Sequence, residues 1–193
     1  MVGAQESYRR EHVLRALLLL NERRMGRKKL VRLLGVGEGS VRTILKKLKK
    51  GGYISSVRQG HALTDEGRLF LEGLLVEFTR PEAFDSFDLA CGSPKSAAII
   101  HNASAKIKKG IDERDVAVKA GADGALILVY KDGKLRFPSD DAGLEELSET
   151  RGKLERLNLK EGDVVAISFG KDAVSAEDGV LAVILELADV ALP

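Results

Sequence analysis

Apolar side chains recur at helical spacing through most of the first 80 residues. Residues 7–24 form one predicted helix, with Ser7 as its N-cap and a broad apolar face made of Val13, Leu14, Leu17, Leu18 and Leu20. Residues 26–50 contain two shorter amphipathic helices around a turn at 35–37, where a glycine ends the first of them. In the second helix the apolar residues fall at i, i+3, i+4 and i+7, namely Val41, Ile44, Leu45 and Leu48. The pattern predicts a small helical bundle.

The face of this second short helix opposite its apolar stripe is small and hydroxylic at the start and cationic further along. Two helices around a glycine turn are the pattern of a helix-turn-helix, whose second helix places its first turn on base edges and its lysines on phosphates. A basic, merely solvated helix face is the alternative. Glu38 is a departure, because a carboxylate repels phosphate; it either caps the helix or reads a cytosine amino group. The candidate DNA-binding residues on this helix are Gly39, Ser40, Arg42, Thr43, Lys46, Lys47 and Lys50.

A hairpin follows the glycine pair 51–52. Residues 53–57 and 62–64 are predicted strands around a turn at 58–61, and Thr64 or Asp65 caps a further helix with apolar residues through Phe78 facing inward. Arg58 and Gln59, in the turn, complete the candidate DNA-binding set, although Arg58 fits a solvated turn arginine equally well. His61 is interpreted as part of the hairpin and His12 as a packed or surface histidine.

Three sequence segments, which follow one another in the chain, resemble those of the winged helix-turn-helix family of bacterial and archaeal transcriptional regulators. They are residues 34–48 (LGVGEGSVRTILKKL), 52–54 (GYI) and 63–68 (LTDEGR). The resemblance implies an all-α winged helix-turn-helix domain with a two-stranded wing over residues 1–80, binding duplex DNA as a regulator.

The second half alternates apolar runs with amphipathic segments after a predicted linker at 79–82. Strands are expected at 95–101, 124–130, 135–137 and 163–169, and helices at 111–120, 144–157 and 173–188. Asp132-Gly133 between two of the strands is a strong hairpin signal. The order predicts a two-layer α+β domain over residues 81–193, with a mainly antiparallel sheet and helices on one face. The whole chain resembles archaeal two-domain proteins whose second domain has no settled role.

Charge separates the two halves. Residues 1–80 hold 17 Lys+Arg and 8 Asp+Glu, a net charge of +9, whereas residues 81–193 hold 14 and 21, a net charge of −7. A basic half beside an acidic half predicts that the first half faces a polyanion. The single cysteine, Cys91, excludes an internal disulfide. The apolar run 13–20 contains Arg15 and is too short to span a bilayer, so we expect a cytoplasmic protein that does not bind membranes.

Catalytic chemistry is not indicated. Cys91 and His101 are the only nucleophile–base pair of note, and they are better explained as a buried cysteine and a strand histidine. The cysteine and histidines lack metal-ligand spacing, and the small polar segment 91–96 lacks the spacing of a phosphate-binding loop. The carboxylate pairs Asp112-Glu113 and Asp140-Asp141 are explained by helix capping. We therefore expect no enzyme activity, no metal and no cofactor.

Two function classes remain. The first is a sequence-specific DNA-binding regulator whose second domain forms a homodimer, senses a small-molecule effector, or does both. The second is a protein- or RNA-interaction module, or an assembly factor, that uses the first domain as a docking surface. Apolar residues cover nearly the whole circumference of segment 180–187 if it is a helix, which favours a dimer contact there. A cover supplied by the chain's own sheet and helices is the alternative, as is a central strand.

Overall fold

The computed structural model describes residues 8–90, 93–107, 109–140 and 142–193. The chain divides into two compact units: one comprises Met1–Leu75 with Val190–Pro193, and the other comprises Val76–Asp189. The division lies five residues before the predicted boundary, and the last four residues belong to the first unit. Within that unit the Arg10 guanidinium donates to the Val190 carbonyl oxygen at 2.8 Å.

The first unit begins with three helices, α1 (Arg10–Glu22), α2 (Arg27–Leu34) and α3 (Glu38–Lys50). Helix α2 ends at Gly35, whose φ of 66° is the left-handed conformation that the predicted turn requires. Leu14, Leu17, Leu30, Leu34 and Ile44 are almost fully buried, so the apolar stripes of the three helices meet in one core. Ser7, the predicted cap of α1, lies outside the described residues.

A hairpin and a fourth helix complete the unit. Strands β1 (Ile54–Val57) and β2 (Gly60–Leu63) pair antiparallel, and helix α4 (Asp65–Leu74) follows. Thr64 caps α4, since its hydroxyl accepts from the Gly67 N–H at 3.0 Å, as the sequence predicts. Met25 adds a third strand segment by exchanging two backbone hydrogen bonds with His61, at 2.8 and 2.9 Å. This bridge fixes the hairpin against the start of α2.

The second unit is built on a five-stranded antiparallel sheet, flanked by helices. Its strands are β3 (Glu82–Ala83), β4 (Lys95–Ile100), β5 (Gly124–Lys131), β6 (Lys134–Arg136) and β7 (Val164–Phe169), in the order β3-β4-β7-β5-β6. Its helices are α5 (Ile111–Lys119), α6 (Ser148–Leu154) and α7 (Ala173–Leu187), with a 3-10 turn at Ser104–Lys106. The fold class predicted for both parts of the chain, including the mainly antiparallel sheet, is confirmed.

Helices α5 and α7 pack together on one face of the sheet. The approach is close at Gly179 of α7, where an added Cβ would lie 2.7 Å from both Ser168 Oγ and Ala122 Cβ. On the opposite face Ile99, Leu128, Val165 and Ile167 form a second core with Leu154 of α6. The prediction that helices lie on one face therefore holds for the two long helices, while short α6 and its flanking loops cover the other face.

Three predicted elements are wrong in their extent. The helix expected at 144–157 is only α6, because its amphipathic pattern continues into turns, and Leu157, expected inside, is 41% exposed. Phe78, assigned to the helix after the hairpin, lies beyond the end of α4 and forms an antiparallel bridge with Ile100. The predicted linker 79–82 lies against the sheet, where Thr79 N–H donates to Ile99 O at 2.8 Å.

The apolar segment 180–187 is a helix, as expected, but its own chain covers it. Val180, Leu181, Val183 and Ile184 of α7 are fully buried against the sheet and α5. The alternative named above, a cover supplied by the chain's own sheet and helices, therefore describes this segment, and the burial of α7 gives no reason to expect a dimer contact there.

Candidate nucleic-acid interface

Helix α3 separates a buried stripe from an exposed face along its whole length. Val41, Ile44 and Leu48 are fully buried, whereas the opposite face consists of exposed residues. The exposed predicted residues of α3 are Gly39, Arg42, Thr43, Lys46, Lys47 and Lys50. The amphipathic pattern read from the sequence thus gives the same exposed surface in the fold.

The lysines of this face are available to a polyanion. Within the described parts of the chain, Lys46, Lys47 and Lys50 form no ion pair with an acidic side chain. Lys49, which the sequence reading did not include, is exposed beside them. A helix face that carries four cations without acidic partners attracts phosphate, and its attraction falls with salt.

Ser40 corrects the predicted set. Its side chain is only 5% exposed and lies on the buried side of α3, four residues before Ile44. A buried hydroxyl cannot reach a base edge, so the prediction that Ser40 contacts DNA is wrong. Serine at the start of a helix suggested an exposed hydroxyl, but the 3.6-residue period already places position 40 beside the apolar stripe.

Thr43 is exposed, but its hydroxyl already donates a hydrogen bond within the helix. Its hydroxyl donates to the Gly39 carbonyl oxygen at 3.1 Å, one turn back. The hydroxyl therefore offers the solvent an acceptor oxygen together with a methyl group. In a major groove these match an exocyclic amino group and the methyl group of thymine.

Glu38 organises the start of α3 without capping it. The N-cap is Gly37, which has no side chain, and the Glu38 carboxylate instead accepts from Arg27 at 2.9 Å. Arg42 lies 3.8 Å from the same carboxylate oxygen, and all three side chains are largely exposed. The capping interpretation of Glu38 is wrong. The ion pairs of the Glu38 carboxylate link the first turns of α2 and α3 on the surface.

The hairpin turn contributes two further predicted residues. Arg58 is exposed and has no hydrogen-bonding or ionic partner within the described residues. Gln59 is exposed as well, and its side-chain oxygen accepts from Arg24 at 3.0 Å. Arg24 is thus a cation beside the turn that the sequence reading missed, because 35 residues separate it from Gln59.

His61, in the hairpin, is influenced by positive charges on both helices of the helix-turn-helix. Burial lowers its pKa, and the positive charges of Arg27 and Lys49 lower it further. Its Nδ1 lies 2.8 Å from Ser56 Oγ across the hairpin. The charges of Arg27, at the start of α2, and of Lys49, near the end of α3, thus both act on the hairpin residue His61, a relation that only the fold reveals.

The candidate catalytic and anion-binding residues of the second half that the structure describes make structural contacts. His101 Nδ1 lies 3.2 Å from the buried Asp163 carboxylate, which also accepts from the Lys160 and Asn102 N–H groups. Cys91, the other residue of that candidate pair, lies outside the described residues. Lys95 and Ser96 of the polar segment 91–96 are buried in β4, so these two are not part of an open loop. No cluster of three metal-ligating side chains occurs within the described ranges.

The two carboxylate pairs differ from the capping prediction. Asp112 and Glu113 lie in the first turn of α5, where they complement the helix dipole, but the N-cap is Gly110. Asp140 closes a local turn by accepting from the Ala142 N–H at 3.1 Å, and α6 begins only at Ser148. Asp141 lies outside the described residues. The capping prediction is therefore wrong for Asp140.

These features define a two-unit protein: a helix-turn-helix with a two-stranded hairpin and a basic face, followed by an antiparallel α+β unit. The chain belongs to the PH0730-like family. The model of the PH0730-like N-terminal domain matches residues 10–69, and that of a domain of unknown function, DUF4443, matches residues 91–187. The solved structure of hypothetical protein PH0730 from Pyrococcus horikoshii OT3 is 35% identical, with a TM-score of 0.78 over 93% of this chain and 92% of that chain.

This match supports the predicted resemblance to archaeal two-domain proteins. Among curated proteins none matches the chain. Across the described residues, no helix combines the length and the apolar character needed to cross a membrane.

Proposed function

We propose that this protein is a sequence-specific regulator that binds duplex DNA through α3 and the hairpin turn. The observation that carries the proposal is the division of α3 into a buried apolar stripe and an exposed face with Lys46, Lys47 and Lys50 free of acidic partners among the described residues. A helix of this width fits the major groove.

The residues of the face divide by role. Lys46, Lys47 and Lys50 contact phosphates, which supplies affinity without sequence preference. Arg42 and Thr43, nearer the start of α3, contact base edges, with Arg42 suited to guanine. The bare Gly39 leaves room for a close approach, since nothing lies within 4 Å of a Cβ added there. Arg58 and Gln59 contact the backbone beside the groove.

The acidic second unit does not bind DNA in this proposal, because its charge repels phosphate. It supplies the regulatory part, through a homodimer, a small-molecule effector, or both.

Salt dependence tests the phosphate contacts. Fluorescence anisotropy with labelled duplex DNA at several salt concentrations gives the slope of log K against log salt. Lys46→Ala or Lys50→Ala should each flatten the slope by about 0.9, since one phosphate contact releases about that number of counterions. Lys131→Ala, an exposed lysine of the second unit, is the matched control and should leave the slope unchanged.

Arg42→Ala tests base recognition. It should relax preference at one base pair, at a cost of about 1–3 kcal/mol for the preferred sequence, while non-specific binding changes little. If the protein shows no duplex binding even at low salt, the DNA proposal fails. The alternative, a protein- or RNA-interaction module, then becomes the better interpretation of the basic face.

A further inference from the structure

The edge of the second unit's sheet contains a β-bulge. Glu82 pairs with Ala97, and Phe78 bridges Ile100, so four steps along the edge segment match only three along β4. Counted inward from these two pairs, Thr79 and Arg80 both fall opposite Ile99, so the extra residue lies there. Thr79 satisfies the backbone there, because its N–H donates to Ile99 O at 2.8 Å and its hydroxyl accepts from Ile99 N–H at 2.9 Å. Bulges of this kind redirect side chains and are common beside functional sites.

The bulge directs Arg80 to the sheet face that carries α6. Glu82 shares a face with its partner Ala97, and Arg80, two residues earlier, lines the same cavity. This cavity has a volume of about 370 Å³. Its apolar walls come from the edge strand, from β4 and β7, and from the end of α6, and consist of Ala83, Phe84, Ala97, Ile99, Leu154 and Val165.

The cavity has the composition of a small-molecule site. Ligand sites are concave and mostly apolar, hold a few polar groups that orient the ligand, and range from about 300 to 1,000 Å³. Leu157, 41% exposed, forms part of the wall at the open side. Its exposed apolar surface is what an apolar ligand would cover.

Arg80 supplies the charge that selects the ligand. Its side chain is partly buried, yet within the described chain it has no hydrogen-bonding or ionic partner, and no ion pair joins it to Glu82. A guanidinium without a partner beside apolar walls favours a carboxylate, which it can bind through two parallel hydrogen bonds. Glu82 lines the same cavity but is exposed, so it can turn towards water or meet a positive group of the ligand.

We propose that this cavity binds a small carboxylic acid with a branched or aromatic apolar body. The carboxylate pairs with Arg80, and the apolar body lies against Ile99, Leu154 and Val165. This class includes plain carboxylic acids and apolar amino acids, which share the carboxylate and the body. The site lies entirely within the second unit, and its occupancy does not require DNA binding.

Calorimetric titration of the full chain without DNA tests the site. The probes are 4-methylpentanoate, leucine, 3-methylbutylamine, which lacks the carboxylate, and acetate, which lacks the apolar body. One or both of the first two should bind saturably, with a Kd on the order of 1 mM or tighter, and the last two should not. Arg80→Met, which keeps the apolar stem, should weaken that binding about tenfold or more. Arg114→Met, at an exposed position of α5, is the matched control and should leave it unchanged.

Glu82→Gln distinguishes the two sources of the carboxylate. It should tighten 4-methylpentanoate binding in either case, because a repulsive charge is removed, and it should not weaken leucine binding if the site takes plain acids. It should weaken leucine binding if Glu82 pairs with an amino group. The proposal is overturned if neither carboxylate saturates, if 3-methylbutylamine binds as well as they do, or if Arg80→Met keeps full affinity. Because DNA is absent from the titration, these outcomes are independent of the DNA proposal.

Discussion

At the scale of single residues, the ion pair of Glu38 bears on the proposed contact between Arg42 and a base. The Glu38 carboxylate lies 2.9 Å from Arg27 and 3.8 Å from Arg42, on an exposed surface. Exposed pairs of this kind contribute about 0–1 kcal/mol, and salt screens them. A bidentate contact between arginine and guanine is worth about 1–3 kcal/mol. In the proposed complex Arg42 can therefore leave Glu38 for a base at little cost.

Asp88 offers a residue-scale prediction in the second unit. Its carboxylate accepts from the Glu149 N–H at 2.7 Å and from the Ser86 and Thr150 hydroxyls at 2.6 Å each. Burial raises its pKa, but the hydrogen bonds from Ser86, Thr150 and the backbone outweigh burial and hold it at about 2. Asp88 thus caps the start of α6 from 61 residues away.

Replacing Asp88 should lower the free energy of unfolding of the second unit in a pH-dependent way. The folded pKa of about 2 lies below the ordinary 3.8, so the ionised form stabilises the fold fully above about pH 4 and loses that effect as the pH falls towards 2. Asp88→Asn should cost about 1–2 kcal/mol at pH 7, and the difference from wild type should shrink by pH 3. Urea unfolding at both pH values measures it. Asp85→Asn, at a nearby exposed position, should show no such difference; a gap for Asp88→Asn that stays constant with pH would contradict the assignment.

Caps show how far single residues can be predicted from sequence. Thr64 was predictable because its partner, Gly67, is three residues away and the motif is local. Asp88 was not, because its partners are brought to it only by the fold. Likewise, helical period alone predicts that Arg42 and Lys46 share the exposed face of α3. It does not predict Arg24 beside the hairpin turn, because tertiary structure brings that residue there.

At the scale of elements, the sheet edge at residues 79–82 is ordered against β4, although the sequence predicted a linker there. Pro81 and the change in composition indicated a linker at 79–82, yet the segment forms a bulged edge against β4. Proline is tolerated at a sheet edge, since it has no N–H to donate to the ladder. The local signal was therefore correct about irregular backbone and wrong about its place in the fold.

Phe78 should anchor this edge. Its side chain is fully buried, whereas Val76, two residues before it, is 70% exposed. Phe78→Ala should lower the free energy of unfolding of the second unit by about 3–5 kcal/mol, because it removes a buried ring and leaves a cavity. Val76→Ala is the matched control and should change it by less than about 0.5 kcal/mol. Thermal or urea unfolding of both variants measures the contrast, and equal effects would exclude Phe78 from the core.

A fragment starting at residue 81 lacks Phe78, so we expect a fragment starting at residue 76 to be the more stable one.

The strongly periodic elements were predictable and the weakly periodic ones were not. Strands β4, β5 and β7 each contain an apolar run, and the Asp132-Gly133 turn marks the hairpin of β5 and β6, so their positions follow from sequence. Helix α6 has seven residues, too few for period alone to separate it from the turns that follow. The cavity beside Arg80 has no sequence signature, because four separate segments form its walls.

At the scale of the whole molecule, charge and fold divide the chain in nearly the same place. The first unit carries the α3 lysines, which pair with no acidic side chain among the described residues, and the second carries most of the acidic residues. This segregation favours a single nucleic-acid surface per chain. One recognition helix reads only a few base pairs, so specificity for a genome normally requires two half-sites and a two-fold-symmetric protein.

The homodimer therefore remains a prediction that rests on the need for two half-sites. The apolar character of α7 no longer supports it, because α7 is buried within its own chain. Selection from a random duplex pool should enrich inverted repeats whose half-sites lie about 10 base pairs apart, centre to centre. Sedimentation of the protein with an enriched duplex should give two chains per duplex, and with one half-site removed the affinity should fall. Leu185→Glu, at a partly exposed position of α7, should not change the stoichiometry if the dimer contact lies elsewhere. One chain bound per saturated duplex, with no repeat among the enriched sequences, would show that the protein reads DNA as a monomer.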